Sequence, residues 1–301
     1  MFDLIIIGGG MAGMTSAIYA LRENKKVLVL EKESIGGQIT QSPKVQNYPS
    51  FAEISGSELA DKTFDQMLAL GAEFEVEDVQ KIEKEGKLFK VTTDYNTYQA
   101  KAIVLATGMK HRTLGLAGEK NLVGKGVYYC AICDGPFFAG QEVAVIGGGN
   151  SALQYAIMLS GYCSKVNVFV RSANFVGEQA LIEKVKNTPN IEVTYQASSI
   201  ALNGEDALES ITFKRADGSI FEHRTKAVFV AVGQVPNNKM FENLVALDKY
   251  GYIITDENGK TSCDGVYAAG DCRVKAIRQV ATAVGDGATA ATFACRYIDL
   301  N

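Results

Sequence analysis

Two thiols three positions apart, Cys130-Ala131-Ile132-Cys133, are followed directly by Asp134-Gly135. Such a pair can close a small disulfide ring at the start of a helix. There the helix N–H groups lower a thiol pKa and favour the thiolate, which is the reactive form. Asp134 is placed to supply or take the proton that thiol–disulfide exchange requires. The same spacing also serves as half of a zinc site or as two core cysteines. Zinc takes four ligands. The remaining cysteines, Cys163, Cys263, Cys272 and Cys295, are scattered, and the only histidines are His111 and His223. Ligand count therefore favours redox chemistry, and no metal site is expected.

The elements that must position this pair are two glycine-rich nucleotide folds. Phe2 to Ile7 is an apolar run suited to a buried parallel strand. Gly8-Gly9-Gly10-Met11-Ala12-Gly13 follows, then the helical pattern Met14 to Leu21, then a second strand, Val27 to Leu30, ending at Glu31. Gly8 suits the tight turn, Gly10 lets backbone approach a pyrophosphate, and Gly13 lets helix pack on strand. The helix N-terminus faces the phosphates. Glu31 is placed to accept from ribose hydroxyls. The pattern returns just after the cysteines. Glu142 to Ile146 reads as a strand, Gly147-Gly148-Gly149-Asn150-Ser151-Ala152 as the turn, with a helix to Leu159 and a strand from Val166 to Val170. The two units align without gaps at an offset of 139 between Gly8 and Gly147. This internal repeat predicts two dinucleotides, or one dinucleotide and a relic.

A chain of 301 residues with 47% apolar residues accommodates roughly two domains with sizeable cores. The net charge of −4, without long basic or acidic blocks, argues against nucleic acid and anionic membranes as partners. Leu4 to Leu21 and Val143 to Ser164 are uncharged and long enough to suggest membrane spans. Each is split by three consecutive glycines into strand, turn and helix, so neither is expected to enter a membrane. Met-Phe-Asp carries no basic segment of an export signal, and a reducing cytoplasm is the expected setting.

Ser34 to Tyr48, with Gly36-Gly37-Gln38, reads as a loop over a cofactor. Gly56 to Leu70 reads as an amphipathic helix. Ala72 to Val79, Leu88 to Thr93 and Tyr95 to Ala100 suggest a small β element. Lys101 to Leu105 is a buried strand running into Ala106-Thr107-Gly108, whose small residues suit close approach to a ligand. In the second half, Leu181 to Asn187 reads as helix. Ile191 to Tyr195, Leu208 to Lys214, Ser219 to His223 and Ala227 to Val232 read as strands. Pro236-Asn237-Asn238 reads as a linker. Gly265 to Asp271 is a strand with an acid at its tip. Gln279 through Tyr297 is a small-residue helix that suits either packing on a flat ring system or ordinary tight helix packing.

These motifs, in this order over nearly the whole chain, resemble the low-molecular-weight thioredoxin reductase family. The resemblance implies an α/β fold of two Rossmann-like three-layer domains, the second inserted in the first. An FAD domain would take residues 1–112 and 239–301, and a nicotinamide-type domain carrying the dithiol would take 113–238. It also implies a homodimer. It assigns Cys133 to face the flavin, Cys130 to attack the partner disulfide, and Asp134 to acid–base work. It assigns FAD binding to Gly8, Gly10, Gly13, Glu31, Gly37, Gln38, Asn47, Ala106, Thr107, Gly108, Gly270, Asp271, Arg278, Gln279 and Val280. Relatives rotate one domain against the other, and the segments near Arg112–Gly115 and Gly233–Lys239 suit such a hinge.

The sequence departs from the family pattern in its second nucleotide unit. Asn150 stands where the family has an acid, and Gln154 and Tyr155 where it has two glutamates. The family places a histidine and three arginines around the 2′-phosphate of NADPH. Here Val170, Arg171, Ser172 and Val176 hold those places, and only Arg171 is retained. NAD(P)H is therefore a doubtful donor. The expected function is FAD-dependent reduction of thioredoxin or a thioredoxin-like protein, with a ferredoxin-type donor ahead of NADH and NADPH last. A flavin oxidase or ferredoxin–nicotinamide reductase on the same scaffold would lack the cysteine pair. A non-catalytic redox sensor is the remaining alternative.

Overall fold

The computed structural model describes residues 1–42 and 44–301. Pro43, inside the expected loop from Ser34 to Tyr48, lies outside the described residues. The chain begins with β1 (Phe2–Ile7), α1 (Met11–Arg22), β2 (Val27–Glu31), α2 (Gly56–Ala69), β3 (Glu73–Val76), β4 (Val79–Glu85), β5 (Leu88–Thr93) and β6 (Thr97–Leu105). It continues through β7 (Met109–His111), α3 (Glu119–Leu122), β8 (Val127–Tyr128), α4 (Ala131–Asp134), β9 (Glu142–Ile146), α5 (Asn150–Ser160), β10 (Lys165–Val170) and α6 (Gln179–Lys186). Then come β11 (Ile191–Tyr195), β12 (Ala197–Asn203), β13 (Ser210–Arg215), β14 (Ile220–Arg224) and β15 (Val228–Val230). The chain ends with β16 (Gln234–Pro236), β17 (Val266–Ala268) and α7 (Val280–Leu300). It forms two compact units, Met1–Lys110 with Val235–Asn301, and His111–Gln234. These divisions fall slightly before residues 112 and 238, because the two connecting segments are themselves the short strands β7 and β16, which pair with each other.

The first unit is built on a 7-stranded sheet in which β3, β2, β1 and β6 are parallel neighbours. The apolar run of β1 is buried on both faces, as a parallel strand between helix layers must be. One face packs under α1, α2 and α7, with Met14, Leu59, Met67 and Ala294 in the core. The other packs Ile5, Leu30, Phe89, Ile103 and Phe241. Tyr95 to Ala100 and Lys101 to Leu105 are not separate strands. β6 is continuous because its first half pairs antiparallel with β5 and its last residues, Ile103 to Leu105, pair parallel with β17. The carboxyl ends of β1, β6 and β17 thus lie side by side, which is where open α/β sheets bind ligands.

The second unit repeats the plan with a parallel 5-stranded sheet ordered β11-β10-β9-β15-β8. A 3-stranded antiparallel sheet, β12-β13-β14, covers one face through Phe213 stacked on Phe169 at 4.1 Å between ring centroids. β4 and β12 are strands that the sequence does not announce. Both are partners in antiparallel ladders, β4 largely exposed and β12 mostly half-buried, and their small or charged residues lack the apolar alternation that marks a strand. Among the described residues, no helix is long and apolar enough to cross a membrane.

Pro236-Asn237-Asn238 is not a solvated linker. Asn238 is fully buried, and its Nδ2 donates to Gly251 O at 2.9 Å and Cys272 O at 2.8 Å. Its Oδ1 accepts from Thr107 Oγ1 at 2.8 Å. Turn-forming composition does not distinguish an exposed Asn from one satisfied inside the fold.

Candidate active site

In the second unit, Cys130 and Cys133 form a disulfide with Cα atoms 5.3 Å apart. Cys130 is extended backbone at the N-cap of α4, and its Sγ accepts from Cys133 N–H at 3.2 Å. The helix is short, one turn continued by a 3₁₀ turn to Phe138. Between the sulfurs, Ala131 is buried in the apolar cluster while Ile132 is half exposed. Ala131 therefore anchors the ring to the domain and leaves the outer side of the loop open.

Asp134 is 6% exposed, and its Oδ1 has no hydrogen-bond partner. Burial pushes its carboxyl up to about 7. Below that value Asp134 holds a proton to give, and above it a carboxylate that can take one. The fold keeps this group beside the thiols at a stability cost that follows its sign. The folded state binds the proton more tightly than the unfolded chain. Stability from this group is therefore greatest in acid, and is lost as pH rises from the ordinary carboxylate range through about 7. Asp134→Asn should flatten that slope. It should also slow exchange with a protein disulfide by roughly a hundredfold and remove the inflection near neutrality from the pH–rate profile. Parallel denaturation and pH–rate series on the two proteins check both expectations.

Glu119 is a contributor that the sequence does not mark. It is 3% exposed and accepts from the backbone N–H groups of Leu114, Gly115 and Leu116. It also accepts from Tyr129 Oη at 2.7 Å. Tyr155 Oη donates to Tyr129 O at 3.0 Å. The residue before Cys130 is thus pinned at both its side chain and its carbonyl. No group of three or more His, Cys, Asp or Glu able to hold a metal occurs among the described residues.

The first unit gathers the glycine motif at the ends of β1, β6 and β17. Gly8 has φ +113°, and a side chain there would meet Ala106 O at 2.4 Å, so the first turn and the Ala106-Thr107-Gly108 segment approach as only glycine permits. Gly9 N–H donates to Glu31 Oε2 at 2.7 Å, and Glu33 N–H to Glu31 Oε1 at 2.9 Å. Glu31 thus ties the end of β2 to the glycine turn, and its carboxylate retains lone pairs for a ribose. Gly36 N–H donates to Gly9 O at 2.8 Å, which brings Gly37 against Gly10. Gln38 Nε2 donates to Met109 O.

From the far end of the unit, Gly270 and Asp271 follow β17, and Gln279 caps α7 ahead of Val280. Asn47 Nδ2 donates to Gln279 Oε1 at 3.1 Å. Gly270 N–H donates to Asp286, which also pairs with Arg273 and with Lys275. Arg273 and Asp286 were not expected. They lie 13 residues apart in sequence and meet only because α7 folds back on the 3₁₀ turn after β17. The small residues of α7 serve ordinary packing along most of its length. A side chain at Gly287 would meet Ala12 O at 2.3 Å, and Ser16 Oγ donates to Gly287 O at 3.1 Å.

The sequence matches the pyridine nucleotide-disulphide oxidoreductase family over residues 2–287. A thioredoxin reductase of Treponema pallidum is 40% identical over 300 residues, covering 99% of this chain and 97% of the relative. The 34.2 kDa protein in rubredoxin operon of Clostridium pasteurianum is 37% identical over 298 residues, covering 98% of this chain and 97% of the relative. The crystal structure of thioredoxin reductase from Streptococcus pyogenes superposes with a TM-score of 0.96 at 37% identity, over 100% of this chain and 99% of that one. The chain therefore belongs to the pyridine nucleotide-disulphide oxidoreductases and, within them, to the low-molecular-weight thioredoxin reductase family. It is a flavoprotein oxidoreductase with two Rossmann-like domains.

The family implies FAD, and the first unit fits it. Asp271 Oδ1 and Arg278 Nε are buried without hydrogen-bond partners, and burial raises the Asp271 carboxyl. Gly10 leaves open space over the turn, with the nearest atom to an added side chain 3.8 Å away at Gly36 O. Two orphaned polar groups beside a glycine cradle are what a polar dinucleotide would satisfy. When bound, FAD would accept a reducing pair and pass it to a disulfide.

Proposed function

We propose that this enzyme reduces the disulfide of thioredoxin or a thioredoxin-like protein through Cys130 and Cys133, with a ferredoxin-type protein as electron donor. In the reduced enzyme the Cys130 thiolate attacks one sulfur of the partner disulfide, and the other partner sulfur leaves as a thiolate. Asp134 supplies the proton that this thiolate takes. The Cys133 thiolate then attacks Cys130 Sγ, which closes the Cys130–Cys133 bond and releases the second partner thiolate. The enzyme dithiol loses two electrons and two protons, and the partner disulfide gains them. Reduced flavin, in the site built from Gly8, Gly10, Gly13, Glu31, Asp271 and Gln279, would regenerate the dithiol. The working unit is read as a homodimer in the cytoplasm.

The observation that carries the donor reading is Val170. In the first unit the second strand ends at Glu31, which accepts from Gly9 N–H. In the second, the matching strand ends at Val170, which is buried, and a side chain at the matching Gly148 would meet its Cγ1 at 2.8 Å. A nicotinamide dinucleotide usually finds an acid at this place, and its 2′-phosphate usually finds cations. Here Ser172 and Val176 replace two arginines of the family pattern. Charge-assisted hydrogen bonds contribute about 1.5–3 kcal/mol each, so their loss corresponds to roughly a hundredfold to ten-thousandfold in NADPH affinity. The alternative donor, NADH or NADPH, is favoured by family membership and by the retained, exposed Arg171. Anaerobic stopped-flow mixing separates them. Reduced ferredoxin should bleach the flavin at a rate that matches turnover. Bleaching at that rate by micromolar NADPH or NADH would reject the donor reading.

A further inference from the structure

The two glycine turns close in the same way with opposite electrostatic results. Gly36 N–H bonds Gly9 O at 2.8 Å in the first unit, and Val176 N–H bonds Gly148 O at 2.7 Å in the second. Gly10 bridges to Gly36, and Gly149 to Val176. This pairing makes Gly37 and Gly177 equivalent, and likewise Gln38 and Glu178. Gln38 is neutral and spends its amide on Met109 O. Glu178 is a carboxylate held on Asn150, the first residue of α5. Asn150 Nδ2 donates to Glu178 Oε1 at 2.9 Å, and Glu178 N–H donates to Asn150 Oδ1 at 2.8 Å. A side chain at Gly177 would lie 2.6 Å from Asn150 Oδ1, so the glycine lets the two segments close.

We infer that the reciprocal Asn150–Glu178 pair is the donor-discriminating element of this enzyme, holding a carboxylate at the α5 N-terminus and so excluding the pyrophosphate of a pyridine dinucleotide. The inference rests on the donor reading above and names the residues responsible for it. A helix N-terminus attracts one anion through its free N–H groups and the aligned peptide dipoles. The Asn150 side-chain amide holds the Glu178 carboxylate at this end of α5, so a dinucleotide would bring a second anion beside it. Val170 acts separately, by leaving a ribose without its usual acceptor.

The test is calorimetric titration of the flavin-loaded, full-length enzyme with NAD⁺, which binds without reducing the flavin. Glu178→Gln should tighten NAD⁺ binding by roughly tenfold, as expected for removal of one like charge at a helix end. Asn150→Ala, which releases Glu178 from the other side, should tighten it in the same direction. Glu178→Gln with Val170→Glu should tighten it further than either change alone. No tightening in both single variants, with flavin absorbance and thermal unfolding as in the wild type, would overturn the inference. So would equal tightening by Val170→Glu alone and by the double variant. The donor reading fails differently, by rapid reduction of the unaltered enzyme with NADH or NADPH.

Discussion

Cys133→Ser is expected to yield a yellow, folded protein whose protein-disulfide reductase activity has fallen by at least about a thousandfold, because removing one member of a nucleophilic pair abolishes the step it performs. Serine keeps the shape of the helix turn and can still donate its N–H to Cys130 Sγ, the contact seen at 3.2 Å. Only the sulfur that resolves the mixed disulfide is gone. Cys130→Ser should be equally inactive for the opposite reason, since no thiolate remains to attack the partner. The two variants differ in what they trap. Cys133→Ser should accumulate a covalent complex with the partner through Cys130, visible on a non-reducing gel, and Cys130→Ser should not. Near-normal turnover in either variant, or trapping by the wrong one, would remove the proposed order of attack. Flavin content and thermal unfolding, measured on the same preparations, separate a chemical loss from a folding loss.

Gly13→Ala should be among the most damaging single-methyl changes in the first unit, costing about 3 kcal/mol or more in stability together with most of the bound flavin. An added Cβ would lie 1.9 Å from Gly8 O, a backbone atom that cannot turn away. Relief requires moving either the glycine turn or α1. Both belong to the proposed flavin site, so flavin retention should fall with the melting temperature. For a unit of this size the shift should be roughly 6–12 °C. The second unit carries an internal control. Its equivalent position is Ala152, fully buried and tolerated, because Gly147 has φ +154° where Gly8 has +113°. The more extended turn makes room for a methyl. Ala152→Gly should therefore cost only the helix preference and a small cavity, about 1 kcal/mol. Thermal unfolding and the flavin-to-protein absorbance ratio check both variants. Equal effects at the two sites would contradict the role assigned to the turn.

The cysteine pair, both glycine turns and the repeat between them were legible because their demands are local. A tight turn, a close backbone approach and a small disulfide ring are specified by contiguous residues, whatever surrounds them. The buried strands β1, β9 and β10 were equally plain, since strands covered on both faces are continuous apolar runs. Other features needed the folded chain. β6 reads as two strands until β17 and β5 are seen sharing its length. Asn238 reads as a turn residue until Cys272, Gly251 and Thr107 close around it. Glu119 stands out only in the folded chain, where three backbone N–H groups and Tyr129 converge on it. Asn150 lies in the second glycine motif, but Glu178, 28 residues on, belongs to none. Their pairing depends on how the segment after β10 lies across α5. Motif spacing pointed to thiol–disulfide chemistry beside dinucleotide folds, and the family resemblance added the flavin. Tertiary structure decided which distant polar groups satisfy one another, because a hydrogen bond between segments leaves no periodic trace in either of them.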